Sequence, residues 1–175
     1  MLNSYPAHVY DTTDPLDGLG NGVGGQGWYM LVGDDRISGS YDDQYRGIAI
    51  FDTASLSCPV NMTKTLAFYH YGTIGSGWTT FNLSMLSVTS SGPVASDYER
   101  SAFAPNFYRV NATSWTDWND AWVYVDVTNQ WNTAVQAGYQ YTGIRFEPQW
   151  YINDAGEDAI QIATTGTQTP YIKCS

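Results

Sequence analysis

The chain has 175 residues, 43% hydrophobic and 15% aromatic but only 14% charged, which suits one domain with a sizeable core and a neutral polar surface of Ser, Thr, Asn, Gln and Gly. Seventeen acidic residues against seven basic ones give a net charge of −10, which repels phosphate backbones and argues against a nucleic-acid partner. No apolar run approaches the ~20 residues that span a bilayer, and no basic start followed by an apolar core marks a leader, so membrane insertion is not expected.

In chain order, the hydrophobic period is two nearly everywhere, which predicts strands. His8–Tyr10 and Trp28–Val32 come first, separated by a segment over Asp14–Gly27 that reads as loop from its glycines at 18, 20, 22, 24, 25 and 27. Residues 1–27 are expected to form a partly flexible arm. Gly47–Phe51 follows, with Ile48 and Ile50 on one face. Thr65–Tyr71 alternates Leu66, Phe68 and His70 against Ala67, Tyr69 and Tyr71. Phe81–Val88 starts with Phe81, Leu83 and Met85, then changes phase to Leu86 and Val88, which predicts a β-bulge. Ala121–Val127 sets Val123, Val125 and Val127 against Trp122, Tyr124 and Asp126. Thr128 caps a short helix through Gln136, with Trp131 and Val135 on one face and Gly138 as its stop. Thr142–Glu147, Ala159–Ala163 and Tyr171–Cys174 complete the series. Many short strands with turn signals between them predict an all-β chain over 1–175, a single jelly-roll β-sandwich with one short helix.

Three blocks recur in a characteristic order. Tyr45-Arg-Gly-Ile-Ala-Ile-Phe-Asp52 precedes Thr63-Lys-Thr-Leu-Ala-Phe-Tyr69. Ala112-Thr-Ser-Trp-Thr-Asp-Trp118 follows. Val125-Asp-Val-Thr128 then leads through the helix to Gly143-Ile-Arg-Phe146, and Pro170-Tyr-Ile-Lys-Cys174 closes the chain. Together these resemble the DNRLRE-type β-sandwich domains, which are related to alginate-type carbohydrate-binding modules. His8-Val-Tyr-Asp11 extends the likeness weakly to the front. The resemblance implies a jelly roll, an extracellular setting and no activity of its own. Members serve as carbohydrate-binding, adhesive or structural parts of larger proteins. The chain departs from the pattern in its glycine-rich N-terminal loop and in lacking an attached enzyme or anchor.

Catalytic motifs are scarce. Only His8 and His70 supply an imidazole, and His70 shares a face with Leu66 and Phe68, as a hydrogen-bonded core histidine would. No G-x-S-x-G elbow or phosphate loop occurs. Glu99, Glu147 and Glu157 lie in no recognisable glycosidase arrangement. The chain is therefore expected not to be an enzyme, and no cofactor is required. Asp11, Asp14 and Asp17 recur every three residues in a loop, and Asp34, Asp35, Asp42 and Asp43 flank a short hairpin. Calcium favours such carboxylates with backbone carbonyls, and solvated turn aspartates explain the same residues. Cys58 and Cys174 show no metal or redox spacing; a disulfide and two separate thiols both remain open. Asn61, Asn82 and Asn111 head N-x-S/T sequons.

The aromatic residues are the most informative feature: seven Trp, fourteen Tyr and six Phe. Phe51, Phe68, Phe81, Trp131 and Phe146 sit at inward phases or on the helix face. Trp28, Trp78, Trp115, Trp118, Trp150 and Tyr151 fall in or beside polar loops and are the candidate ligand-binding rings. A flat ring stacks on the apolar face of a sugar, and the same rings anchor protein interfaces. Two readings follow. One is a glycan-binding or adhesive module of an extracellular assembly. The other is a coat or decoration protein on a virion surface, whose aromatic loops and N-terminal arm contact neighbouring copies.

Overall fold

Alternating burial governs the chain's pairing. The computed structural model describes residues 1–11, 20, 22–24, 27–35, 43–75, 80–111, 121–149 and 158–175. The strands are β1 (Leu2–Asn3), β2 (Tyr5–Asp11), β3 (Gly22–Gly24), β4 (Tyr29–Asp35), β5 (Asp43–Asp52), β6 (Lys64–Ile74), β7 (Thr80–Val88), β8 (Ala102–Asn111), β9 (Ala121–Asp126), β10 (Tyr141–Pro148), β11 (Asp158–Ala163) and β12 (Tyr171–Cys174). One helix, α1 (Thr128–Gln136), joins β9 to β10. The fold is all-β, and every pairing between the described strands is antiparallel.

Two long strands organise the rest. β5 pairs with β2 along one edge and shares its other edge between β4 at its start and β10 along its second half. β6 pairs with β9 along one edge and shares the other between β12 and β11. The sheet therefore folds over at the β4–β5 crossing. Rings on strands that are not neighbours then meet face to face: Phe68 of β6 lies 5.1 Å from Phe146 of β10 and 6.1 Å from Phe81 of β7. Two layers result, with Phe51, Leu66, Phe68, Phe81, Leu83, Ile144, Phe146, Ile162 and Ile172 enclosed between them. Each such side chain contributes about 1.5–3 kcal/mol by leaving water.

The layer holding β5, β10 and β7 is covered on its outer face as well. Ile48, Ile50, Leu86 and Val88 form a second cluster with Val9 and Tyr98. This explains the phase change in β7. Phe81, Leu83 and Met85 face the main core, while Leu86 and Val88 face the second one. A register shift does occur between Leu83 and Leu86, but against β8 alone; the pairing to β10 runs unbroken.

The cover over the second cluster is the segment from Val94 to Arg100, with a 3₁₀ turn at Ala95–Asp97. Buried cations hold it. Arg145 Nη1 donates to the carbonyls of Asp97, Tyr98 and Arg100 at 2.8–3.1 Å. Its Nη2 lies 2.9 Å from Glu147 Oε2. Arg46 donates to the Tyr98 carbonyl and stacks over the Tyr98 ring at 4.0 Å. Lys64, a residue only 1% exposed, does the same work elsewhere: its Nζ donates to the carbonyls of Pro59, Val60 and Met62 at 2.7–3.0 Å. Cys58 and Cys174 are joined as a disulfide across 116 residues, which ties this turn to β12.

The helix begins and ends where expected, and Gly138 stops it at φ 71°. Its details differ. The N-cap position is Val127, and the residue before it, Asp126, holds the first turn: its Oδ1 accepts from both the backbone N–H and the hydroxyl of Thr128. Trp131 packs inward with Ala134, while Val135 is 52% exposed, because the inward stripe of this short helix steps by four and then by three. Where residues 1–27 are described, they form strands: β1 joins β12, β2 joins β5 and β3 joins β2.

Candidate functional site

The face of β6, β9 and β12 that points away from the core is aromatic. Leu66, Phe68 and His70 of β6, with Val125 of β9, point inward and are buried. The intervening residues must then point out. Register places Tyr69 opposite Trp122, and places Ala67 between Tyr124 on one side and Tyr171 on the other. The small side chain of Ala67 is fully buried between them. Tyr171 and Tyr124 hydrogen-bond there. Partial burial, the nearby Tyr124 and that hydrogen bond raise the Tyr171 hydroxyl above the ordinary phenol range.

Trp122 is the hub. Its ring lies 5.3 Å from Tyr69, 5.3 Å from Tyr171 and 6.3 Å from Tyr124, the last nearly parallel at 23°. Lys173 Nζ sits 5.2 Å from the centre of the Tyr124 ring, and Tyr124 is 52% exposed. Beside this group lies a cavity of about 470 Å³, bounded by Trp122, Tyr124, Tyr171, Asn3, Thr167 and Thr169. The arrangement offers flat apolar rings ringed by hydroxyl and amide groups. That chemistry suits a ligand with both C–H faces and hydroxyls.

A second pair lies across β11. Tyr29 of β4 stacks on Tyr71 of β6 at 5.9 Å and 19°. Gly72 pairs with Gln161 and His70 with Ile162, so Tyr71 is the extra residue of a bulge; it keeps the outward phase of Tyr69 and is 38% exposed. Trp28 adjoins this pair in sequence. Its carbonyl accepts from Thr164 N, and its ring is 73% exposed.

Of the rings expected to bind ligand, Trp28 is thus displayed to solvent on an anchored backbone. Trp78, Trp115, Trp118, Trp150 and Tyr151 lie outside the described residues. Asp11 is a correction: it is not a loop residue but the last residue of β2, fully buried and paired in register with Gln44. Asp14 and Asp17 lie outside the described residues, as do Asp42 and the side chains of Asp34, Asp35 and Asp43. Among the described residues no cluster of three or more His, Cys, Asp or Glu side chains forms a metal-binding group.

Other polar groups are held in structural contacts. His70 is fully buried with Nε2 at 3.1 Å from the Thr73 hydroxyl. His8 Nδ1 accepts the Leu31 N–H, and its ring packs edge-on to Tyr45 at 4.9 Å. Burial lowers the His8 pKa to about 4, so the ring is neutral at pH 7.

The sheet face itself went unread from sequence, although its signal was present. Tyr69 and Tyr71 in one strand, and Trp122 and Tyr124 in another, occupy the phase opposite to clearly inward residues. No family model matches the chain, and no curated protein matches it.

Proposed function

We propose that this chain is a non-catalytic glycan-binding or adhesive module whose outward face on β6, β9 and β12 holds the ligand. The observation that carries this reading is Trp122 standing amid Tyr69, Tyr124 and Tyr171 on a sheet whose other side is core. Rings mounted on strands are positioned more rigidly than rings on loops. Binding is an equilibrium of stacking and hydrogen bonding, with no covalent step and no cofactor in it. The resemblance to DNRLRE-type domains, with their jelly-roll fold, supports the same function. The Cys58–Cys174 disulfide suits an oxidising compartment and so an extracellular or virion-surface location.

Affinity electrophoresis through gels containing soluble polysaccharides tests this. The unmodified chain is retarded in at least one gel. Trp122→Ala and Tyr124→Ala abolish the retardation with the circular dichroism spectrum kept, and Trp28→Ala weakens it. Equal retardation of Trp122→Ala and the unmodified chain overturns the reading.

The alternative is a coat or decoration subunit on a virion surface. One observation favours it: among the described residues β8 pairs with β7 alone and exposes Tyr108, which leaves an edge for a neighbouring copy. Self-association that is lost in Tyr108→Lys, without retardation in any gel, selects that reading.

A further inference from the structure

We infer that the aromatic face is one end of a longer groove, and that its ligand is an extended, uncharged polysaccharide chain. The inference rests on the glycan-binding reading above and concerns which glycans that site takes.

A second cavity, of about 510 Å³, shares Asn3 and Thr169 with the first. The two cavities therefore adjoin at these residues. Asn3 pairs in register with Tyr171 and so adjoins the Trp122 group. The Thr169 hydroxyl contacts the carbonyls of Thr164 and Gly166 at 3.1 and 3.2 Å, which fixes the turn there. The second cavity is lined by Tyr5, Pro6, Val23, Gly27, Thr164 and Thr165. It reaches the neighbourhood of Trp28, because Thr164 N donates to the Trp28 carbonyl and the Thr164 hydroxyl donates to the Gly27 carbonyl. Tyr5 is 57% exposed. The first cavity thus carries the rings of Trp122, Tyr124 and Tyr171 and the second that of Tyr5, with serine and threonine hydroxyls beside them.

Those hydroxyls match a polyol. Ser4 Oγ donates to the Pro170 carbonyl, and Thr164 and Thr169 also donate to backbone carbonyls. A hydroxyl whose proton is committed still has an oxygen able to accept. The floor therefore accepts hydrogen bonds, and sugar hydroxyls donate them.

Charge decides the class. Among the described residues no Asp, Glu, Lys or Arg side chain lines either cavity, in a chain with 17 acids and 7 bases. Lys173, on the same face, has its ammonium over the Tyr124 ring. A uronic-acid or sulfated chain finds no Lys or Arg side chain among the described residues that line the cavities, and a net charge of −10 repels it at long range. A neutral chain meets neither obstacle.

Isothermal titration with two length series, each from disaccharide to octasaccharide, tests this: neutral cello- and manno-oligosaccharides, and acidic oligomannuronates. Affinity for one neutral series rises about tenfold or more once the chain spans both cavities. Tyr5→Ala removes most of that gain and leaves the shortest binding chain unaffected. Acidic oligomers that bind as tightly, with affinity falling as salt rises, overturn the inference but leave glycan binding standing. Neutral affinity that stays flat with length, or is indifferent to Tyr5→Ala, overturns the extended groove. No binding in either series overturns the glycan reading and this inference with it.

Discussion

Tyr69 stands directly opposite Trp122 across the β6–β9 pairing, with ring centroids 5.3 Å apart at 71°. The preceding residue in β6, Phe68, points into the core and is fully buried. Adjacent residues on one strand thus serve different ends. Phe68→Ala is expected to lower stability by about 3–5 kcal/mol. Trp122→Ala is expected to lower it much less while removing glycan binding. The Tyr69–Trp122 double-mutant cycle should give a coupling of about 0.5–1.5 kcal/mol in urea unfolding.

Reduction should destabilise the chain. The Cys58–Cys174 bond closes a loop spanning 116 residues, and the unfolded chain loses much freedom when so closed. Dithiothreitol, or Cys58→Ser with Cys174→Ser, should cost about 2–5 kcal/mol, read as a lower thermal midpoint.

Stability should fall on mild acidification because of His8. Its folded pKa, about 4, lies below the ordinary 6.5 since burial disfavours the charged ring. The unfolded chain therefore binds a proton more readily than the folded one. The stabilisation is complete above pH 6.5 and is lost as pH falls from there toward 4, by up to about 3 kcal/mol. Asp126, whose pKa is lowered by its hydrogen bonds to Thr128, acts below this window. Urea midpoints at pH 7 and pH 4.5 should differ, and His8→Gln should shrink the difference.

Lys64 should not tolerate neutralisation. Its ammonium satisfies three carbonyls in the turn that also carries Cys58. Lys64→Met leaves those acceptors without that donor, and the expected cost is about 3 kcal/mol by thermal unfolding. A half-buried control whose ammonium satisfies no such turn, Lys173→Met, should change stability by less than about 1 kcal/mol.

Legibility followed alternation. β6, β9 and β10 could be read because one face is plainly apolar, and α1 could be read because its period and Gly138 agree. β8 escaped because Pro105 and a positive φ at Asn106 interrupt its pattern. β3 escaped because it is glycine, valine, glycine. Those glycines are needed there: a Cβ on Gly24 would stand 2.6 Å from His8 Nε2, and one on Gly22 would stand 2.1 Å from the Tyr10 ring. Rings from β2 fill the space that side chains on β3 would take, which only tertiary pairing reveals. The outward aromatic face was missed for a related reason. Tryptophans in polar loops draw the eye, whereas Trp122 and Tyr124 hide within a strand whose valines explain its presence. The cavity beside them depends on Asn3 and Thr169, which are remote in sequence.

Mapping the bound surface tests the central claim most directly. In nitrogen-15 correlation spectra titrated with a neutral oligosaccharide, the Trp122 indole N–H should move most. The backbone signals of Asn3, Tyr124, Thr169 and Tyr171 should move with it. Saturable shifts confined to residues remote from β6, β9 and β12, with the Trp122 signal unmoved, would contradict the account.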